Sequence, residues 1–133
     1  MACYIRAYGS RFDVDAFVGS SSIEWPDVWR AGEAKVLAEP NSPKEYQKSG
    51  LQIEVGDGDQ FTSLLRDASD FMRKNRDELL RLASDPGVER VEIDFGLTWN
   101  SNMAVVSVTM PAEFVALAGE VRFAIEVTYY DWD

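Results

Sequence analysis

From Arg90 to Trp99 the chain alternates apolar and polar residues, with Val91, Ile93, Phe95, Leu97 and Trp99 set against Arg90, Glu92, Asp94 and Thr98. A period of two puts alternate side chains on opposite faces of a strand, so this segment requires a sheet with one buried and one wet face. The pattern recurs at Ala2 to Tyr8, where Cys3, Ile5 and Ala7 alternate with Tyr4, Arg6 and Tyr8. It appears again at Leu51, Ile53 and Val55, and at Phe123, Ile125, Val127 and Tyr129. After Asn100-Ser101-Asn102, the stretch Met103 to Met110 reads as a hairpin partner of the Arg90–Trp99 strand. A short strand is expected around Val28 to Arg30.

Between these runs the period changes. Phe61, Leu64, Leu65, Ala68, Phe71, Met72, Leu79, Leu82 and Ala83 recur mostly three and four apart. They predict one amphipathic helix from Gln60 to Ser84, roughly 37 Å long at 1.5 Å per residue. Asp59 is its expected N-cap, and Asn75, polar on the apolar stripe, marks a kink. Two short helices complete the reading, one capped by Asp13 and one with Pro111 at its first position and Gly119 at its end. Residues 38–50, rich in Pro, Ser and Lys, read as loop. The order β-α-β-β-α-β-β-α-β implies an α+β fold: a largely antiparallel sheet of five or six strands with one long and two short helices on one face. At 133 residues the chain suits a single domain, 1–133.

Composition narrows the chemistry. With no histidine and one cysteine, the chain lacks the parts of Ser-His-Asp, Cys-His and His-ligated zinc sites. No phosphate-loop or dinucleotide-binding motif is present, and no cofactor is expected. Gly56-Asp57-Gly58-Asp59 fails as an EF-hand loop, because Thr62 and Ala68 stand where that loop needs Gly and Glu. Cys3 is expected as a small buried hydrophobe in a reducing compartment. The first residues lack a signal-peptide pattern and no apolar stretch is long enough to span a bilayer, so a cytoplasmic location is expected.

The formal net charge is −10, and residues 86–133 alone carry 2 basic and 8 acidic side chains. That field opposes nucleic acid and anionic membranes and favours a basic protein partner. If the apolar residues of each strand face the helices, the opposite sheet face collects Tyr4, Arg6, Tyr8, Glu54, Glu92, Asp94, Glu126, Thr128 and Tyr130. Tyrosines offer contact area at low entropic cost and carboxylates steer a basic partner, which makes this face the first candidate site. A plain solvated face accounts for Glu92 and Asp94 as well. A second candidate is a groove between Trp25, Trp29, Arg30 and the 38–50 loop, with Arg30 anchoring a small anion. A carboxylate-dependent hydrolase is the third reading, and it requires two of the acid pairs Asp13/Asp15, Asp57/Asp59, Glu92/Asp94 and Asp131/Asp133 to converge in a cleft.

The segments Gly9-x-x-Phe12-Asp13-Val14-Asp15-Ala16-Phe17 and Trp29-Arg30-Ala31-Gly32-Glu33, with a final strand ending Tyr129-Tyr130-Asp131, resemble the bacterial family called domain of unknown function 4279. The resemblance spans nearly the whole chain. It implies an early strand leading to a short helix opened by an acidic turn, and brings no catalytic residues with it. By the same resemblance, small acidic bacterial domains of this sort look like immunity proteins that neutralise toxins.

Overall fold

The computed structural model describes residues 1–36, 39–99, 102 and 105–131. Five strands, β1 (Ala2–Gly9), β2 (Asp27–Trp29), β3 (Ser49–Asp57), β4 (Arg90–Trp99) and β5 (Ala124–Asp131), form one sheet in the order β2-β3-β1-β4-β5. All neighbouring pairs are antiparallel except β4 and β5, which run parallel. Four helices complete the fold: α1 (Val14–Ser20), α2 (Phe61–Lys74), α3 (Arg76–Ala83) and α4 (Ala112–Glu120). The expected α+β architecture with a largely antiparallel sheet is what the chain adopts.

The helices bring their apolar sides onto the sheet face that carries Cys3, Ile5, Ala7, Leu51, Ile93 and Phe95. Phe95 sits at the middle of this core, edge-on to Phe61 of α2 at 5.3 Å and to Phe114 of α4 at 5.5 Å between ring centres. Cys3 is fully buried, as its place in the first apolar run requires. Burial pushes its thiol pKa far above the usual range, and the Asp94 carboxylate adds to the effect.

Several local expectations are corrected. The predicted long helix is two helices, broken at Asn75, where φ is −112° and the side-chain amide donates to the Phe71 carbonyl at 2.9 Å. The Asn75 backbone N–H keeps its regular bond to the same carbonyl at 3.0 Å, so the break lies in the backbone angles of Asn75, φ −112° and ψ 23°. Gln60, extended at φ −126° and ψ 135°, takes the N-cap position of α2 in place of Asp59, and no side chain caps that end. By contrast, Asp13 does cap α1, its carboxylate accepting the Ala16 N–H at 3.1 Å.

Among the described residues the expected hairpin after β4 is absent. Residues 105–110 form no strand, and residues 100, 101, 103 and 104 lie outside the described part. The side of β4 away from β1 is taken by β5, which α4 delivers in parallel through a β-α-β crossover. Pro111 is the N-cap of α4, one position earlier than expected. Gly119 lies inside α4 and does not end it; Arg122, at φ 63°, does. Its N–H donates to Gly119 and that of Phe123 to Ala118, the paired bonds of a Schellman stop with buried Phe123 packed behind it. Among the described residues no helix is long and apolar enough to cross a membrane.

Candidate functional site

With the helices on one side, the other sheet face presents side chains from the remaining strand positions. Cross-strand register decides which of them meet. Arg6 lies opposite Gln52 of β3 and Glu92 of β4, Tyr4 lies opposite Glu54 and Asp94, and Asp94 lies beside Glu126 of β5. The structure therefore gathers Tyr4, Arg6, Glu54, Glu92, Asp94, Glu126, Thr128 and Tyr130 on one face, as the alternation implied.

The centre of that face is a closed ionic network. The Arg6 guanidinium donates to Gln52 Oε1 at 2.8 Å, to Glu92 Oε1 at 3.0 Å and, more weakly, to Asp94 Oδ2 at 3.5 Å. Arg90 holds the other Glu92 oxygen at 2.9 Å, and the Thr128 hydroxyl donates to Asp94 Oδ1 at 2.9 Å. Glu92 and Asp94 are only 4% and 7% exposed, which corrects the reading of them as a solvated pair. Their burial follows from two arginines and a threonine replacing water around them. Glu126 is the third carboxylate. Its hydrogen bond to Glu92, then the charge of Glu92, then burial and Asp94 raise its pKa, with Arg90 opposing.

Beside this network lies a groove of about 360 Å³ lined by Met1, Ala2, Tyr4, Arg6, Asp57, Asp94, Gly96, Thr98 and Tyr130. Gly96 makes its floor: a Cβ there would stand 3.1 Å from Tyr130 Cε2, so the ring lies across the bare backbone. Burial, followed by the charge and hydrogen bond of Glu54, raises the pKa of Tyr4 above that of an ordinary phenol, so its hydroxyl stays a donor at neutral pH. Sequence reading missed Asp57 and Thr98 as groove residues. The sequence offers Asp57 as half of the Asp57/Asp59 pair, and a strand running to Asp57 opposite Ala2 places it at this rim.

Tyr8, at the far end of the face, is covered by the Lys48 ammonium 5.5 Å from its ring centre. Arg90 lies opposite it on β4, and Tyr8 is not among the residues that line the groove.

The second candidate set is arranged for packing. Trp25 is buried, its indole N–H donating to Ser21 Oγ at 3.0 Å. Trp29 stacks on Tyr46 at 5.7 Å and lies against Gly50, where a Cβ would come within 2.5 Å of its ring. Arg30 grips Asp15 through both Nε and Nη2 and reaches Glu33 at 2.9 Å, so its charge is already matched by two carboxylates. Each of these three residues has an internal partner.

Of the acid pairs, Asp13 caps α1 while Asp15 holds Arg30, and Asp57 and Asp59 are exposed. Glu92 and Asp94 converge on Arg6, with Glu126 beside Glu92, and Asp133 lies outside the described residues. Among the described residues no group of three or more His, Cys, Asp or Glu is arranged to hold a metal ion. No family model matches the sequence, and comparison with curated proteins and with solved structures gave no match.

Proposed function

We propose that this chain is a non-catalytic, cytoplasmic binding protein of immunity or regulatory type that engages a basic protein partner through its acidic sheet face. The observation that carries the reading is the tyrosine-walled groove on the uncovered face, with Asp57 exposed at its rim and Glu54 exposed beside Tyr4. In the network beside it, three carboxylates stand against the two cations Arg6 and Arg90. A lysine or arginine entering between Tyr4 and Tyr130 meets ring faces and carboxylates together, which suits cation recognition. The same acidity disfavours a nucleic-acid phosphate backbone. The resemblance to domain of unknown function 4279 belongs to this proposal and supports its immunity-type form.

The test uses rim residues, because reversing the buried Glu92 or Asp94 would unfold what it probes. Proteins captured from a bacterial lysate by the wild type and by a Glu54→Lys/Asp57→Lys variant are compared at low and high salt. A basic protein held by the wild type, released as salt rises and lost to the variant supports the reading. Capture that ignores both changes overturns it.

A further inference from the structure

The two ends of the sheet differ. At one end β2 is three residues long, follows Pro26 and leads into the Trp29–Tyr46 stack, so it offers little edge for another strand. At the other end β5 runs for eight residues in unbroken register with β4, and no strand lies beyond it among the described residues. Its sequence, Ala-Ile-Glu-Val-Thr-Tyr-Tyr-Asp, contains no proline, lysine or glycine and has high strand propensity. Proline, lysine and a register-breaking bulge, which often blunt an edge strand, are therefore missing where the edge is long.

The two sides of this edge have different chemistry. Glu126, Thr128 and Tyr130 line its polar side, continuous with the acidic face and groove. Ile125 and Val127 lie on the helix side, partly buried against the core, with Tyr129 46% exposed beside them. A second copy of this chain would bring a second segment with 2 basic and 8 acidic residues to the same edge, and like charges facing each other across strands are destabilising.

We infer that β5 is a docking edge for an extended basic strand of the partner, with Lys or Arg on the side of Glu126 and branched apolar residues on the side of Ile125 and Val127. Main-chain hydrogen bonds from the edge supply the register, and the two faces select the alternation. This inference rests on the acidic-face reading and adds to it the conformation and sequence pattern of the partner.

The experiment titrates the isotope-labelled full chain with a short peptide alternating lysine and valine, and with the same peptide methylated at every backbone nitrogen. The expected result is slowed hydrogen exchange at alternate β5 amides with the first peptide, and affinity at least about tenfold weaker for the second. Equal, salt-sensitive binding of both peptides, or binding without protection of β5, overturns the docking edge and leaves the acidic face standing. Failure of both peptides to bind overturns both readings. Self-association through β5, seen by sedimentation and loss of edge exchange without peptide, also overturns the assignment of the occupant.

Discussion

Taking a carboxylate out of water costs several kcal/mol unless a cation and hydrogen bonds replace its hydration, and Glu92 and Asp94 both depend on Arg6 for that replacement. Arg6→Met keeps the length of the stem and removes the guanidinium. It is expected to lower the unfolding free energy by about 3 kcal/mol in urea titration, because two buried charges lose a partner. Adding Glu92→Gln and Asp94→Asn should restore part of that loss. Glu126 carries the opposite sign of pH dependence from Asp15, Glu78 and Glu89. Its pKa is raised in the folded state, so between the ordinary 4.5 and the raised value the native protein binds more protons than the unfolded chain. Its contribution therefore favours folding on the acid side and is lost as pH rises through the raised value. Thermal melts across that window should show Glu126→Gln gaining on the wild type as pH increases. Glu78 runs the other way: Arg81 above all, with Ser21 and Ser22, lowers its pKa, and the stability it contributes at neutral pH is lost on acidification through that lowered value.

A helix stop at a non-glycine residue in the left-handed region costs roughly 1 kcal/mol, and Arg122 bears that cost on an exposed side chain. Arg122→Gly is expected to stabilise the protein by about 1 kcal/mol, read as a higher melting temperature with unchanged cooperativity. Sequence reading placed this stop at Gly119, because glycine is the usual signal; the true stop is fixed by Phe123, which must be buried behind the helix. The strands were legible because their period of two is imposed by a sheet with one dry face, and β1, β3, β4 and β5 appear where alternation put them. The failed hairpin has a different cause. Residues 103–110 have strand-like composition, but pairing depends on which segment reaches the open side of β4, and α4 returns β5 to that place. At Asn75 the kink was legible from a polar residue on an apolar stripe, while the full break lies in its backbone, at φ −112° and ψ 23°.

Over the whole molecule, the division into an apolar helix-covered face and an acidic tyrosine-bearing face could be read from alternation alone. The burial of Glu92 and Asp94 could not, since it depends on register between strands far apart in sequence that brings Arg6, Arg90 and Thr128 around them. The Trp25, Trp29 and Arg30 set shows the same limit: aromatic and cationic residues close in sequence each found a different internal partner. Cys3, at 0% exposure, reports on opening of the entire core. Its alkylation in the native protein should be slower than in the urea-unfolded chain by on the order of a thousandfold or more, matching a global opening free energy. Fast native labelling would show that β1 frays separately from the sheet.

β1 stands at the centre of the sheet yet is made first. During synthesis it can pair with β3 once residues 49–57 have emerged, but its other edge waits for residues 90–99. Until then the growing chain holds a three-stranded fragment whose exposed edge is the middle of the finished sheet, with Arg6 present and Glu92 and Asp94 still unmade. Such a long wait between strand and partner slows folding and offers an open template to other chains, so a ribosome stalled before Trp99 would release an aggregation-prone intermediate.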